Sequence, residues 1–418
     1  MPLPTPHSAP GKDFHQKKFR LSDFFNQHWD NYIKQPKHFI TNEQYKAVAA
    51  MRTCRTEALG IDHYVCEECG EMSKIYHSCK NRFCPTCSWK DTLDWADKMK
   101  NDMLDIPHRH AVFTLPHSFN NLINDNKAVL LGILFKTAAD TIKDWMGHKY
   151  KLKPGIISVL HTFGETKKLH PHVHMIVSWG GINKNYYPEE IKGEFIKYDF
   201  IQKKFRCKFE DKLVELFDAN ALCHKFSGRI DFMRFLKRVN NKKWRINFEP
   251  AMKIPEEVIR YIGRYSKRAC ISEHKITNIE GEFISFKYKD NKNLDYNKKP
   301  IVKELTLHYN KFFPRLLQHV PLPYFRIVRY YGTYAARTKA MLKEKYPIYQ
   351  EKTAGEKESP EKEEVETYEM PDNPKVCKNC NREKRYLYST FKNREGKIIY
   401  MSRFSQKEKN NKPDEKVA

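Results

Sequence analysis

Two pairs of cysteines most constrain what this chain can fold into. The first pair, Cys66 and Cys69, lies in "CEECG", and the second, Cys84 and Cys87, lies in "CPTC". Fourteen residues separate the pairs, which is close to the spacing of a four-cysteine zinc site. Each pair would form a tight turn that presents two thiolates, and two such turns can complete a tetrahedron around one ion. The spacing therefore predicts a structural zinc module closed by these four cysteines.

Further cysteines and histidines surround these pairs. The same segment holds four residues that could replace a ligand or build a second site, namely Cys54, His63, His77 and Cys79. A distant C-x-x-C, formed by Cys377 and Cys380, is half a site by itself; it could be degenerate, borrow ligands or have no role, and we favour the last. Disulfides or free thiols are the alternative to zinc. The N-terminus has no apolar signal core, so we expect a cytoplasmic protein, in which disulfides are rare.

A second feature is the segment "LHPHVHMIVSWGG" at residues 169–181, which places His170, His172 and His174 at alternate positions. The apolar run that follows predicts a β-strand, and the two glycines end it. Side chains two apart in a strand lie on one face, so the three imidazoles would form a stripe. The stripe is either a polar strand face with local hydrogen bonds or a metal site, because histidine is the commonest metal ligand.

A third feature is the predicted helix "PEEVIRYIGRYSKR" at residues 255–268, in which Tyr261 and Tyr265 share one face. Packing is the ordinary role of such tyrosines, and a solvated face is the ordinary role of the neighbouring basic residues. Beside a bound cation, however, a tyrosine hydroxyl can attack a phosphodiester and form a covalent intermediate. The basic residues could then grip the flanking phosphates: Arg260, Arg264, Lys267 and Arg268.

The charge of the chain indicates a polyanionic partner. The sequence has 76 Lys+Arg against 51 Asp+Glu, a formal net charge of +25 and a pI near 9.4. Nucleic acid is the expected partner of such a surface. No run approaches the roughly 18 apolar residues of a spanning helix, so no membrane partner is expected. Aromatic residues are interleaved with basic ones, as in "RIVRYYGTYAARTK", which suits stacking on unpaired bases.

Taken in order, these motifs resemble the HUH-type endonucleases, in which two histidines flank a bulky apolar residue, as His172-Val173-His174 do here. They are most similar to the two-tyrosine transposases of rolling-circle insertion sequences. The matching segments run from about residue 54 to residue 337: "CRTEALG", "CEECG", "SCKNRFCPTC", "HAVFTLPH", "LHPHVHMIV", "YIGRYSKRACIS", "FKYKD" and "HYNKFFPRLLQHV".

The resemblance implies an α+β fold: an antiparallel HUH endonuclease-like sheet with flanking helices and a central histidine strand, preceded by a small helical, zinc-binding module. It implies that His172 and His174 bind Mg2+ or Mn2+ with a third ligand among His161, Glu165 and His170. It also implies that Tyr261 and Tyr265 are nucleophiles. The expected activity is cleavage of single-stranded DNA at element ends through a 5′-phosphotyrosine, followed by strand transfer. The protein is then expected in a bacterial-type cytoplasm, associated with the nucleoid.

The expected domains are a disordered N-terminus (1–20), a helical and zinc-binding domain (21–105), a catalytic domain (106–345) with a charged insert at about 183–225, and a charged, largely disordered tail with a lone C-x-x-C (346–418). Three other functions compete. A plasmid replication initiator or relaxase would share the chemistry. A metal-dependent hydrolase on a barrel strand would need regular strand–helix alternation. A non-enzymatic zinc protein would bind DNA without forming an adduct.

Overall fold

The computed structural model describes residues 19–37, 39–87, 99, 103–193, 196–241, 244–252, 269–345, 375–393 and 397–401. The helix predicted at 255–268, with both tyrosines and the basic residues beside them, lies outside these residues. So does most of a helix that the sequence predicts from Ser88 to about Leu104. Among the described helices, none combines the length and apolarity that a membrane crossing requires.

The described elements are eight α-helices and fourteen β-strands, which follow one another in short runs of one kind. The helices are α1 Leu21–Ile33, α2 Asn42–Arg52, α3 Asn120–Asp125, α4 Lys127–Tyr150, α5 Tyr198–Asp218, α6 Arg229–Asn240, α7 Tyr309–Leu317 and α8 Ala336–Lys345. The strands are β1 Ile61–Val65, β2 Met72–Tyr76, β3 His108–Thr114, β4 Gly155–Phe163, β5 Leu169–Ser178, β6 Gly180–Ile182, β7 Pro188–Glu190, β8 Arg245–Phe248, β9 Ile276–Glu280, β10 Phe283–Leu294, β11 Pro300–His308, β12 Val328–Gly332, β13 Arg385–Lys392 and β14 Ile398–Met401.

A five-stranded sheet forms the centre of the region predicted to be catalytic, in the order β12-β4-β5-β3-β8, with every neighbouring pair antiparallel. The histidine strand β5 is therefore the middle strand. Val173, Met175 and Val177 project from one of its faces into the main apolar core, which α4 and α5 cover. His172 and His174 project from the opposite face because side chains alternate along a strand. The α+β prediction, with an antiparallel sheet and a central histidine strand, is confirmed.

Two parts of this core differ from the sequence prediction. The segment taken as a charged insert contains α5, whose Ile201, Phe205, Phe209 and Leu213 are fully buried at four-residue spacing. Charged residues between these positions hide the apolar stripe in the sequence. The sequence also predicts helical material up to about residue 345, but this region contains β12, which pairs with β4 at the edge of the sheet. Its aromatic and β-branched residues suit a strand.

A second core joins α1 and α2 to α7 and the three-stranded sheet β11-β10-β9. Phe25 of α1 stacks on Phe313 of α7, with ring centroids 4.1 Å apart. Thr41 followed three residues later by Gln44 predicts a capping box at the start of α2, and the two residues do exchange side-chain and backbone hydrogen bonds. The N-terminal helices therefore share their core with residues 270–317. The predicted boundary near residue 105 does not separate two independent cores.

Part of the segment predicted as a charged tail forms two strands. Strands β13 and β14 join β1 and β2 in a four-stranded sheet of order β14-β13-β1-β2. Ile61 of β1 pairs with Thr390 of β13, and Val65 pairs with Arg385. Strand β1 needs a hydrogen-bonding partner on each side to satisfy its backbone groups, and the C-terminal hairpin supplies one of them. Residues 375–401 thus bring Cys377 and Cys380 back to the N-terminal region.

Candidate metal sites

Three histidines converge on the face of the central sheet opposite the main core. His172 and His174 lie on β5, and His161 lies on β4 directly opposite His172 in the strand register. Each offers one ring nitrogen, and the three nitrogens lie within 4.8 Å of one another. The imidazole centroids of His161 and His174 are 4.6 Å apart, and those of His172 and His174 are 4.8 Å apart. Three imidazoles at this separation can share one metal ion.

A hydrogen bond to the backbone determines which ring nitrogen of His172 is free. Its Nδ1–H donates to the carbonyl oxygen of His170 at 2.7 Å, which leaves the lone pair of Nε2 for another partner. Desolvation by the surrounding protein lowers the pKa of His172 to about 3, and repulsion from His161 adds to that shift. The ring is therefore neutral at pH 7. A neutral imidazole with a fixed tautomer is the form that binds a metal.

His174 is held by a chain of polar contacts that reaches the edge strand. Its Nδ1 lies 2.9 Å from Nε2 of His110 on β3, and the other nitrogen of His110 lies 3.3 Å from a carboxylate oxygen of Glu249. An ionised Glu249 favours a proton on the near nitrogen of His110. The far nitrogen of His110 can then accept the Nδ1–H of His174, whose Nε2 keeps its lone pair. Desolvation holds the pKa of His174 well below its usual value.

The structure separates the three predicted candidates for a third ligand. His161 belongs to the cluster. Glu165 points to other partners, since its carboxylate accepts from the Lys275 ammonium at 3.2 Å and from the backbone N–H of Lys289 at 3.1 Å. The His170 ring lies between those of His117 and His172, with centroids 4.8 and 5.2 Å away and the ring planes tilted by 32° and 45°. The choice of His161 depends on the register of the β4–β5 hairpin, which the sequence motif does not encode.

Eight cysteines form two separate clusters, each with four sulfur atoms within 4.8 Å of one another. The first consists of Cys54, Cys79, Cys84 and Cys87; the second consists of Cys66, Cys69, Cys377 and Cys380. The nearest sulfurs are 3.3 and 3.5 Å apart in the first and 3.6 Å apart in the second. A tetrahedron with Zn–S bonds of about 2.3 Å has sulfurs about 3.8 Å apart. Both clusters therefore fit zinc in ligand type and spacing.

The predicted union of Cys66 and Cys69 with Cys84 and Cys87 in one site is wrong, because each pair belongs to a different cluster. The local turns were recognisable in the sequence, but their partners were not. The leftover cysteines Cys54 and Cys79, together with the C-terminal pair, were the available signal.

The two histidines of this segment have other contacts. The Nε2 of His63 lies 3.1 Å from the Thr390 hydroxyl, and the Nε2 of His77 lies 2.7 Å from an Asp62 carboxylate oxygen. Neither histidine belongs to a cysteine cluster. His63 thus links β1 to β13, and His77 links the end of β2 to β1. Neither acts as a zinc ligand in this structure.

The predicted tyrosines, Tyr261 and Tyr265, and the basic residues Arg260, Arg264, Lys267 and Arg268 fall within the undescribed range 253–268. The described residues on either side of this range are informative. Met252 exchanges backbone hydrogen bonds with His108, at the start of β3 beside the histidine strand. Ala269 and Cys270 line a cavity that His161 also lines.

Comparison with known proteins is consistent with this arrangement. Residues 155–341 match the family described as "Putative transposase" (Y2_Tnp), and residues 24–115 match the "Transposase zinc-binding domain" (Zn_Tnp_IS91). The protein "Putative transposase y4qJ" of Sinorhizobium fredii is 30% identical over 325 residues, which is 75% of this chain and 79% of that protein. The "Transposase for insertion sequence element IS801" of Pseudomonas savastanoi is 28% identical over 326 residues, 75% of each chain. No solved structure matches.

Proposed function

The chain belongs to the transposases of the IS91-type insertion sequences, and we propose that it nicks single-stranded DNA at an element end through a covalent 5′-phosphotyrosine and then transfers the strand. The observation that carries this proposal is the cluster of His161, His172 and His174 on the face of the central sheet opposite the main core. Of these, His172 and His174 are neutral and have their second nitrogens engaged, which preorganises them for a divalent cation, Mg2+ or Mn2+.

The role of the tyrosines follows from elementary phosphate chemistry. A cation held by the histidines would withdraw charge from the scissile phosphate and stabilise the charge that develops on it. The phenolic oxygen of Tyr261 or Tyr265 forms a bond to phosphorus as the bond from phosphorus to the 3′ oxygen breaks. The phenolic proton is lost from tyrosine, and the released 3′ oxygen gains a proton, so that a free 3′ hydroxyl results. No external energy source is consumed, because one phosphoester replaces another.

Two tyrosines allow two such linkages to exist at once. A 3′ hydroxyl released at one site can attack the phosphotyrosine formed at the other, which rejoins the DNA strands and restores the tyrosine hydroxyl. Spacing of four residues places Tyr261 and Tyr265 on one face if this segment is helical. The flanking residues Met252 and Ala269 both lie beside elements of the histidine site, which supports a nucleophile-bearing segment close to it.

Single-stranded DNA is the substrate form that the surface supports best. A formal net charge of +25 favours a phosphate backbone. The β10–β11 hairpin carries Tyr296, 94% exposed, next to Lys298 and Lys299 at its tip. An exposed aromatic ring beside basic side chains can stack on an unpaired base while the cations contact phosphate.

The proposal is tested by trapping the adduct. The full-length protein is incubated with labelled single-stranded oligonucleotides that carry candidate element ends, with Mg2+, Mn2+ or EDTA, and run on a denaturing gel. We expect a metal-dependent protein–DNA adduct whose attachment maps by mass spectrometry to Tyr261 or Tyr265. Tyr261→Phe and Tyr265→Phe together should abolish it, whereas Tyr324→Phe, at a fully exposed tyrosine, should not.

Three results would contradict the proposal. Tight binding with no adduct under any metal would favour a non-enzymatic zinc DNA-binding protein. An adduct that survives in the double tyrosine variant would place the nucleophile elsewhere. Cleavage restricted to a replication origin, with no joining of element ends, would favour the replication initiator or relaxase.

The contact chain from Glu249 through His110 predicts a measurable effect on metal affinity. Glu249→Gln removes the negative charge that favours the required His110 tautomer, and His174 then loses a defined lone pair. Outer-shell changes of this kind typically weaken metal affinity by roughly 10- to 100-fold. We expect a loss in that range for Mn2+, measured by titration with detection by electron paramagnetic resonance. The matched control is Glu344→Gln, an exposed position on α8. An unchanged affinity would remove Glu249 from the site.

A further inference from the structure

The second cysteine cluster joins two parts of the chain that are far apart in sequence. Cys69 and Cys377 are separated by 308 positions, yet their sulfur atoms lie 3.6 Å apart. Cys377 and Cys380 lie outside both ranges matched by the known families, 24–115 and 155–341. We propose that Cys66, Cys69, Cys377 and Cys380 bind a second zinc ion that fastens the C-terminal hairpin to the N-terminal region. This inference does not depend on the proposed catalytic activity.

The two halves of the cluster have the same backbone structure. In the first half, the N–H of Gly70 donates to the carbonyl of Cys66, and the N–H of Cys66 donates to the carbonyl of Glu71. In the second half, the N–H of Asn381 donates to the carbonyl of Cys377, and the N–H of Cys377 donates to the carbonyl of Arg382. The sequence positions correspond one to one.

The residue after each second cysteine has the same unusual conformation. Gly70 has a φ of 71° and Asn381 a φ of 54°, both in the left-handed region that glycine and asparagine tolerate best. Each C-x-x-C is therefore a tight turn that presents two sulfurs on one side, as a zinc-binding turn does. Two turns of this kind face each other. Four free cysteines that were close only by chance would not need this shared backbone conformation.

Ion pairs and strand pairing beside the cluster hold its two halves together. Arg385 forms an ion pair with Glu67, and Arg382 lies 3.9 Å from Glu68, so basic residues of one turn contact acidic residues of the other. Pairing of β1 with β13 ends at Val65 and Arg385, directly beside the turns. Cys66 and Cys377 are each only 1% exposed, which protects the inner sulfurs from solvent.

Metal analysis of the full-length protein tests this inference. Zinc per chain is measured by inductively coupled plasma mass spectrometry for the wild type, for Cys377→Ser with Cys380→Ser, and for Cys207→Ser with Cys223→Ser. The control pair is exposed and belongs to neither cluster. We expect the first variant to hold one zinc ion fewer than the wild type and the control. Equal zinc content in all three proteins would overturn the site, since any zinc at the histidines is common to all of them.

A second measurement on the wild type needs no variant and covers the case in which the variant fails to fold. Native protein is alkylated with and without a zinc chelator, and the labelled peptides are identified by mass spectrometry. We expect Cys69 and Cys380, the more exposed members of the cluster, to be protected until the chelator is added. Rapid labelling of both without chelator would show free thiols. Resistance to chelator that is relieved by a reductant would show a disulfide instead. Either result would contradict a zinc site.

Discussion

Replacing His172 and His174 with alanine is expected to abolish metal-dependent cleavage of single-stranded DNA while leaving DNA binding intact. The two side chains supply two of the three nitrogens of the histidine cluster, and His161 alone cannot hold a divalent ion in a defined position. Loss of one group that stabilises transition-state charge typically lowers turnover by roughly 10²- to 10³-fold, so loss of the site should exceed that. The measurement is the rate of adduct formation at saturating Mn2+, with binding followed separately by fluorescence anisotropy.

His148→Ala is the matched control, because this histidine is exposed in the last turn of α4 and lies outside the cluster. The single variants sharpen the result. His172→Ala should be as inactive as the double variant, since its Nε2 is the nitrogen left free by the contact with the His170 carbonyl. If the double variant forms the adduct at the control rate, the stripe is a polar strand face and the metal lies elsewhere.

The histidine strand shows that a local sequence pattern predicts the strand face of each side chain but not its neighbour on the next strand. Alternation of His170, His172 and His174 ahead of an apolar run determines which face each side chain occupies, because the period of a strand is fixed. The structure follows that pattern along β5. Which side chain faces the pair from the next strand depends on register, and a shift of one residue would bring a different residue opposite. His161 could therefore be proposed from the sequence but not selected.

The cysteines show that a local sequence pattern does not predict which C-x-x-C pairs share a metal site. A C-x-x-C turn is encoded within a few residues, and all the turns containing the predicted zinc cysteines were recognisable. Pairing of turns is a tertiary property: Cys66 and Cys69 meet Cys377 and Cys380 because β1 pairs with β13. Spacing along the chain favoured the nearer pair and therefore the wrong one. The apolar stripe of α5 was missed for a related reason, since burial of its side chains prevailed over the local charge pattern. Strand β12 was missed because its pairing with β4 is a tertiary property as well.

Loss of the first cysteine cluster should lower the free energy of unfolding more than any other change proposed here. Part of this cluster lies inside the second core, which joins α1 and α2 to α7. Cys84 and Cys87 are 2% and 8% exposed, and they pack in the same cluster of buried side chains as Phe25, Phe83 and Phe313. Structural zinc sites contribute apparent binding free energies of about 10–16 kcal/mol, whereas whole domains are stable by only about 5–15 kcal/mol. Cys84→Ser with Cys87→Ser is therefore expected to unfold this core, and not only to lower its melting temperature by a few degrees.

Unfolding of this core can be followed at Trp29, which is 1% exposed and belongs to it. In the cysteine variant, with the other tryptophans replaced by phenylalanine, we expect a red-shifted emission at 25 °C and no cooperative urea transition. The same tryptophan background with Cys207→Ser should keep both native signals, because Cys207 is exposed and belongs to neither cysteine cluster. A chelator added to the control protein should reproduce the spectrum of the variant. If Trp29 stays buried and its core unfolds cooperatively without zinc, the prediction is wrong. The apolar contacts among α1, α2 and α7 would then be enough to keep this core folded.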